Sequence, residues 1–292
     1  MQRVLVAGAT GYLGSELVKS LHERGYKVRA LIRKEQQKAG LEEWVEEFVL
    51  AQATQPETLK GIAEGVDAVF SSLGITRQKD GLSYEDVDYQ ANLNILREAE
   101  KSGVESFLYV SVLRGEELRD EVRLIEAKER FVDALKASSI RHCIIRPTGF
   151  FSDMKDFLEM AKGGRAYLLG DGKSRFNPIH GHDLAEACIE LWEKGEEEAD
   201  VGGPENFSHT ELAQAAFTAM NRQAKISYFP LWLIPVTLWL MRLLTSPATW
   251  GPVEFFLTAM TKGDMLAPAY GEHRLEEFFA QEIQAEQSGR VA

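Results

Sequence analysis

Three glycines follow the first apolar run of the chain at intervals of three residues, and this spacing could bind a phosphate. The run covers residues 4–7, and the glycines are Gly8, Gly11 and Gly14. In a strand–turn–helix unit the first glycine permits a sharp turn, the second lets a bulky anion approach the main chain, and the third lets the helix pack against the sheet. The helix start adds unpaired N–H groups and a partial positive charge. We therefore expect a pyrophosphate site here, with backbone amides from Thr10, Tyr12 and Leu13.

Two basic residues end the second apolar run, "KVRALIRK", where the ribose of a bound dinucleotide would lie. They are Arg33 and Lys34. An acidic residue at this place bonds the ribose hydroxyls of NAD and would repel a 2′-phosphate, whereas a guanidinium can grip a phosphate with two parallel hydrogen bonds. We therefore expect NADP(H) in preference to NAD(H), with Arg33 as the main contact. The alternative is that both cations only form a solvated strand end.

The elements that would position these residues follow an alternating pattern. Apolar runs such as "RVLVAG", "KVRALIR", "DAVFSSLG", "SFLYVSV" and "RHCIIRP" alternate with amphipathic stretches such as "GSELVKSLHERG". Repeated β-α-β units predict an α/β fold of the Rossmann type, with a doubly wound parallel sheet and helices on both faces. After Pro147 the sequence becomes rich in turns. We expect residues 1–150 to form the NAD(P)-binding core and residues 151–292 mainly a smaller substrate lobe, with segments near 176–203 returning to the core.

Several segments occur in the order found in one known family. They are "GATGYLG", "GVDAVFSSLG", "DYQANLNIL", "FLYVSV", "IIRPTGFF", "NPIHGHDLAEA" and "GGPENFSHTEL". On these segments the chain resembles the extended and atypical short-chain dehydrogenase/reductases. Its second half is most similar to the divinyl chlorophyllide 8-vinyl-reductase branch, and the NmrA-like and isoflavone-reductase-like groups are more distant. The resemblance implies a set of cofactor contacts: Gln52 at the adenine; Ser71, Ser72 and Leu73 after the fourth strand; and Pro147, Thr148, Gly149 and Phe150 at the nicotinamide ring.

The catalytic residues of that family match this chain only in part. Many members carry Tyr-x-x-x-Lys on a helix and a serine at the end of the fifth strand. Ser111 and Lys128 match the serine and the lysine, but Leu124 stands where the tyrosine would be. The resemblance implies that Lys128 holds the nicotinamide ribose. The proton donor stays open between Lys128, another side chain such as Tyr84 or Tyr89, and water. Lys128 could instead be an exposed helix lysine, and Ser111 a strand-end hydroxyl that only caps backbone.

Composition argues against several other classes of protein. The formal net charge is −12, from 45 acidic and 33 basic residues, so a basic face for nucleic acid is not expected. The two cysteines, Cys143 and Cys188, form no Cys-x-x-Cys motif, and His180 and His182 lack further ligands nearby in sequence, so we expect no metal site. No signal peptide precedes the first strand, which predicts a cytoplasmic protein.

The most apolar segment, "YFPLWLIPVTLWLMRLL", covers residues 228–244. It is shorter than the roughly 20 residues that span a bilayer, and Pro230 and Pro235 interrupt it. One interpretation is a helix packed on the core. The other is a wall for a large hydrophobic substrate that also makes a peripheral membrane contact.

Together these features predict an NADPH-dependent oxidoreductase that reduces a hydrophobic unsaturated or carbonyl small molecule. The alternative is a non-catalytic NADP(H)-binding regulator or assembly factor, as in NmrA-like proteins, and Leu124 is its best support. A nucleotide-sugar epimerase or dehydratase is less favoured, because those reactions usually use the missing tyrosine and an apolar lobe suits a sugar poorly. The substrate and the oligomeric state stay open.

Overall fold

The structure is a computed structural model that describes residues 2–75, 81–244, 254, 257–258 and 262–289, without the side chains of residues 240 and 242. The chain divides into two compact units. The first unit comprises Met1–Arg146 and Leu184–Asp200, and the second comprises Pro147–Asp183 and Val201–Ala292. The division therefore falls after Arg146, and the segment Leu184–Asp200 returns to the first unit.

The strands and helices alternate through the first unit as the sequence pattern predicts. The strands are β1 (Arg3–Ala7), β2 (Lys27–Ile32), β3 (Glu47–Leu50), β4 (Ala68–Ser71), β5 (Ser106–Val110), β6 (Arg141–Pro147), β7 (Ala166–Leu169), β8 (Arg175–Phe176), β9 (Glu198–Val201), β10 (Phe207–Ser208) and β11 (Ile226–Phe229). The helices are α1 (Tyr12–Glu23), α2 (Asn92–Lys101), α3 (Gly115–Leu118), α4 (Arg123–Lys136), α5 (Lys155–Lys162), α6 (Gly181–Lys194), α7 (His209–Ala219), α8 (Leu233–Leu244) and α9 (Leu275–Gln287). Single turns of 3₁₀-helix occur at Glu35–Lys38, Pro56–Leu59 and Phe151–Met154, and Glu85–Ala91 winds as a π-helix.

The seven-stranded sheet confirms the predicted Rossmann-type fold. Its strand order is β3–β2–β1–β4–β5–β6–β9, and the neighbouring strands from β3 through β6 run parallel. Ala7 lies level with Leu31 on one side and with Ser71 on the other, so the carboxyl ends of the three central strands meet at one edge. Strand order reverses between β1 and β4, and ligands of such sheets bind outside the carboxyl ends at this switch point.

Apolar side chains between the sheet and its helices hold the first unit together. Helix α4 shows the pattern, because its buried apolar residues recur at helical spacing along one face: Leu124, Ile125, Ala127, Phe131, Val132 and Leu135. Phe131 packs edge-on against Tyr109 of β5, with ring centroids 4.6 Å apart. Complete burial of such a side chain contributes roughly 1.5–3 kcal/mol. Cys143 and Cys188 are both free thiols inside this unit.

The second unit has two small sheets and its own apolar core. Strand β7 pairs with β11 in parallel, and β8 pairs with β10 antiparallel. Ser208 and Glu211 form a reciprocal capping box that starts α7. The apolar run 228–244 becomes the end of β11, a turn and α8, with Pro235 in the first turn of that helix. Among the described residues, no helix is long and apolar enough to cross a membrane.

Candidate cofactor and catalytic site

The glycine loop connects β1 to α1 with the geometry that the spacing predicts. Gly8 has φ +83°, a backbone conformation that residues other than glycine rarely adopt. The Gly11 N–H donates to the Gly8 carbonyl at 2.9 Å, and Gly11 is the N-cap of α1, which has no side-chain cap. A Cβ on Gly14 would collide with the Gly8 carbonyl. The loop therefore lies tightly against the helix start, and it fits the phosphates of a dinucleotide.

A glutamine that the sequence analysis missed connects this loop to the end of β2. The Gln37 Nε2 donates to the Thr10 Oγ1 at 3.2 Å, and its Oε1 accepts the backbone N–H groups of Arg33 (2.7 Å) and Lys34 (3.0 Å). The structure therefore brings Arg33 beside the phosphate loop. Gln52 follows β3. Its backbone N–H donates to the Thr58 hydroxyl (3.0 Å), and its backbone carbonyl accepts from the same hydroxyl (3.1 Å). The predicted contacts of Arg33 and Gln52 with the nucleotide stay predictions.

The segment after β4 lies beside the glycine loop. The Ser72 N–H donates to the Ala7 carbonyl at 3.1 Å, and a Cβ on Gly8 would lie 2.9 Å from the Ser72 Oγ. Ser71 is fully buried, and its hydroxyl donates to Asn92 Oδ1 at 2.5 Å. Leu73 packs against the core, and its carbonyl accepts from Asn92 Nδ2 at 3.2 Å. The main chain of residues 72–73 is therefore the part of this segment that lies next to the loop, and the Ser71 hydroxyl is used inside the protein.

Lys128 lies in a buried polar cluster rather than on an exposed helix face. Its Nζ is 3.2 Å from Asp88 Oδ1 and donates to Tyr109 Oη at 3.5 Å. The Lys128 side chain is 15% exposed and the Asp88 side chain is 0% exposed. Gly74 packs against the pair, since a Cβ there would lie 2.6 Å from Asp88 Oδ1 and 3.0 Å from Lys128 Nζ. The alternative interpretation, in which Lys128 is an exposed helix lysine, is therefore wrong.

Burial and charge set the protonation states of this cluster. Burial raises the pKa of Asp88 to about 6, against the opposing attraction of the Lys128 charge. Burial raises the pKa of Tyr109 to about 12. Burial alone would lower the pKa of Lys128, but its interactions with Tyr109 and Asp88 raise it above its ordinary value. At neutral pH the cluster therefore holds an ammonium beside a carboxylate and a protonated phenol, and Lys128 is the member with access to solvent.

Ser111 takes part in a second buried network. This network is centred on Glu129, the residue that follows Lys128 on α4. The Ser111 hydroxyl donates to Glu129 Oε1 at 2.7 Å, and Arg146 donates to both oxygens of the same carboxylate at 2.6 and 2.9 Å. Gly115 packs over the pair, where a Cβ would collide with both side chains. The structure therefore assigns Ser111 a side-chain partner rather than a backbone cap, and its predicted catalytic role stays a prediction.

The tyrosines considered as donors lie on the turn before α2. Tyr84 is buried, and the Tyr89 ring lies 4.1 Å from the Arg130 guanidinium carbon. Leu124, at the position of the missing tyrosine, is buried in the core. The phenol that contacts Lys128 comes instead from β5, as Tyr109, which is fully buried. A fully buried phenol cannot meet a substrate, so Tyr109 supports the lysine and does not replace the usual tyrosine.

The residues predicted at the nicotinamide belong to the second unit. Thr148 Oγ1 donates to the Asn177 carbonyl at 2.5 Å, and the Gly149 carbonyl accepts from the Ile179 N–H at 2.8 Å. Pro147 ends β6, and Phe150 pairs with Ile179 in an isolated bridge. The backbone of this segment is therefore held by residues 177–179. Its contact with the nicotinamide ring stays a prediction.

A carboxylate and three histidines form a further cluster in the second unit. Asp183 accepts the N–H groups of Glu272 and His273 at 3.1 Å, and its other oxygen is 2.7 Å from His273 Nδ1. His180 stacks on His273 with ring centroids 4.2 Å apart, and His182 meets the same ring edge-on. Among the residues that the structure describes, no group of three or more His, Cys, Asp and Glu side chains could hold a metal ion. Asp183 therefore anchors the segment before α9.

Comparison with known proteins agrees with this geometry. A sequence model of the NAD(P)H-binding family matches residues 8–194, more than half of the chain. The chain is 27% identical to the photosystem II assembly factor Ycf39 of Synechocystis sp., covering 78% of this chain and 71% of that protein. It is 25% identical to the chloroplastic divinyl chlorophyllide a 8-vinyl-reductase of Arabidopsis thaliana, covering 98% of this chain and 78% of that protein.

Comparison with solved structures agrees with the Rossmann-type fold. The NADPH-dependent quinone oxidoreductase QOR2 of Escherichia coli, solved with NADPH, has a TM-score of 0.76 at 15% identity, and the match covers 96% of this chain and 99% of that one. At this identity the likeness shows the fold alone. The resemblance that the sequence motifs predict is confirmed by the family match and by the reductase among the relatives. The chain belongs to the NAD(P)H-binding family.

Proposed function

We propose that this chain is an NADPH-dependent reductase of hydrophobic unsaturated or carbonyl small molecules. The observation that carries the proposal is the position of Lys128: a buried ammonium with one open side, in the same unit as the glycine loop and beside Gly74 after β4. An oxidoreductase is supported at family level by the NAD(P)H-binding match and by the vinyl-reductase among the relatives. The substrate class and the preference for NADPH go beyond this family-level support and are part of the proposal.

When bound, the nicotinamide supplies a hydride. The chain's own residues then have two tasks, which are to hold the nicotinamide ribose and to deliver a proton. Lys128 can do both, because its ammonium has three N–H donors, one of which goes to Tyr109 Oη, while Asp88 Oδ1 lies 3.2 Å from Nζ as an ion pair. Reduction of a conjugated C=C bond leaves negative charge on the conjugated system, and a nearby ammonium stabilises that charge and can protonate it. The tyrosine that Leu124 replaces is therefore not required for this reaction.

The preference for a hydrophobic substrate is supported by an apolar surface on the second unit. Helix α8 and the residue before it expose Trp232, Val236, Trp239 and Leu243, at the spacing of one helix face, and the two tryptophans are 67% and 63% exposed. We call these four residues the α8 surface. Lone exposed apolar residues are common, but a continuous stripe that includes two tryptophans is typical of a binding surface. Two reductases among the compared proteins act on molecules of this kind, by name a divinyl chlorophyllide and a quinone.

The test is NADPH oxidation over a panel of hydrophobic enones, quinones and a divinyl tetrapyrrole, with wild-type protein and two variants of α4. Lys128→Met should reduce the rate by about 10²–10⁴-fold, the range for loss of a general acid. Lys136→Met is the matched control, because Lys136 lies on the same helix and pairs with Glu198 at 2.5 Å. Its rate should stay within about twofold of wild type. NADPH binding without oxidation of any substrate, and without an effect of Lys128→Met, would contradict the proposal.

The second candidate is an NADP(H)-binding regulator or assembly factor that does not turn over. Two observations favour it: Leu124 stands at the tyrosine position, and an assembly factor is among the relatives. In this case the α8 surface would contact a membrane or a partner instead of a substrate. Sedimentation with phosphatidylcholine liposomes, with and without Trp232→Ser/Trp239→Ser, tests the membrane contact. The reductase predicts that this double variant weakens turnover of the hydrophobic substrate and leaves NADPH affinity unchanged.

A further inference from the structure

Asp88 is a fully buried carboxylate on a turn whose other acids face solvent. Glu85 pairs with Arg130 at 2.6 Å, and Asp86 accepts the hydroxyl of Ser83 at 2.6 Å, both in exposed positions. Asp88 lies on the same π-helical turn, Glu85–Ala91, with no exposed surface. A buried carboxylate is unfavourable unless a cation or hydrogen bonds compensate it. The partners of Asp88 therefore indicate why this position carries an acid.

The π-helical turn fixes the backbone that carries this carboxylate. Asn92, the first residue of α2, donates its side-chain amide to the carbonyls of Val87 (3.2 Å) and Asp88 (3.0 Å). The same amide donates to the Leu73 carbonyl after β4 (3.2 Å). One buried side chain thus joins the turn to the segment that follows β4. Single π-helical turns inside helices are often found at functional sites.

The carboxylate itself contacts both the lysine and the chain after β4. Its Oδ1 is 3.2 Å from Lys128 Nζ, and its Oδ2 accepts the Ile75 N–H at 3.3 Å. Gly74 lies between these contacts, where a Cβ would be 2.6 Å from Oδ1 and 3.0 Å from Nζ. The lack of a side chain at Gly74 therefore lets the main chain lie directly against the ion pair. The position of the ammonium and the path of residues 73–75 depend on the same carboxylate.

We propose that Asp88 is a positioning residue for Lys128, which holds the ammonium where it can donate to the nicotinamide ribose. The inference rests on the proposed function, because it takes Lys128 as a cofactor contact. Asp88 acts only through the lysine, since it has no surface of its own. In this arrangement the Tyr109 hydroxyl accepts one N–H of the ammonium at 3.5 Å, the carboxylate attracts the ammonium from 3.2 Å, and the Lys128 side chain keeps 15% of its surface exposed.

The test is a double-mutant cycle between positions 88 and 128, with NADPH affinity as the readout. Asp88→Asn keeps the size of the side chain and removes its charge, so it should weaken NADPH binding about tenfold. The same change in a Lys128→Met background should have almost no further effect, because the residue through which Asp88 acts is gone. Glu98→Gln is the matched control, since Glu98 is also a largely buried acid paired with a lysine, Lys101 at 2.6 Å. The NADPH affinity of this control should equal that of wild type.

The pH dependence of NADPH affinity is a second readout. A merely structural role of Asp88 would leave this dependence unchanged. The groups that face Lys128 are Asp88 from the π-helical turn and Tyr109 from β5, while Glu129 on its own helix is paired with Arg146. Without the Asp88 charge the pKa of Lys128 falls, so the loss of tight binding at alkaline pH should begin at a lower pH than in wild type. Asp88→Ser provides a second variant if Asp88→Asn does not fold, and circular dichroism checks both.

The outcomes separate this inference from the proposed function. If wild-type protein binds no NADPH, the proposed function and the role of Asp88 fail together. If wild-type protein binds NADPH and the folded Asp88→Asn variant binds it equally well over the whole pH range, only the role of Asp88 is overturned. If Asp88→Asn weakens binding by the same factor in the wild-type background and in the Lys128→Met background, the role is also overturned, because Asp88 would then act independently of the lysine.

Discussion

The buried ion pair between Glu129 and Arg146 allows a quantitative prediction about stability. Glu129 is 1% exposed and Arg146 is 8% exposed, and two hydrogen bonds of 2.6 and 2.9 Å join them. Loss of one partner of such a pair costs about 3–5 kcal/mol, because the other charge stays buried without compensation. Glu129→Gln should lie at the lower end, about 3 kcal/mol, because Glu198 remains 3.6 Å from the guanidinium. Arg146→Met should lie at the upper end, since the hydrogen-bond partner left to Glu129 among the described residues is the Ser111 hydroxyl.

The double variant Glu129→Leu/Arg146→Met provides the critical comparison. It removes both charges, and replacement of a whole buried pair by apolar residues is often close to neutral. We expect it to be within about 2 kcal/mol of wild type and more stable than either single variant. The assay is urea unfolding followed by circular dichroism and by fluorescence. Asp133→Asn, which breaks the exposed pair with Arg119 (2.7 Å), is the control and should cost less than about 1 kcal/mol. A double variant that loses the sum of the two single losses would refute the reasoning.

Two further predictions concern the cofactor and the pH dependence of stability. Arg33→Asp should weaken NADPH binding about 10–100-fold and leave NADH binding nearly unchanged, because a charge-assisted phosphate contact becomes a repulsion. The measurement is calorimetric titration, with Lys38→Asp as the control for the change of charge. Equal NADPH affinity of the two variants would contradict the prediction. Burial lowers the pKa of His209 to about 4, below the value near 6.5 in an unfolded chain. The unfolded chain therefore takes up a proton between pH 6.5 and 4 that the native state does not, and stability should fall as pH falls through this window, by up to about 3 kcal/mol. His209→Asn should flatten that part of the profile, and an unchanged slope in urea unfolding would exclude this cause.

The parts of the fold that depend on local sequence were predictable. Strands β1 and β2, the glycine loop and helix α1 follow from apolar periodicity and from the position of Gly8, whose positive φ requires its residue type. Pro235 likewise lies in the first turn of a short helix, as its fixed φ suggests. These features are encoded within a few neighbouring residues, so one sequence is enough to find them.

The polar clusters could not be predicted in the same way, because they join residues that are far apart in the chain. Asp88 meets Lys128, which is far from it in sequence, only because a π-helical turn and α4 pack together, and no sequence pattern marks that turn. Ser71 ends β4 and Ser111 follows β5, but the direction of a hydroxyl depends on which neighbour can accept its hydrogen bond. For Ser71 that neighbour is Asn92, and for Ser111 it is Glu129.

The two cysteines have a practical consequence for experiments on this protein. Cys143 and Cys188 are the only cysteines of the chain, both are buried, and burial raises the pKa of the Cys143 thiol to about 12 and that of Cys188 well above its ordinary value. Thiol reagents react with the thiolate, so both native residues should be nearly inert toward maleimides in the folded state. A single cysteine introduced on the surface of each unit could then carry a fluorescent or spin label without removal of the native ones. Distances between two such labels would report directly on the arrangement of the units with and without a dinucleotide.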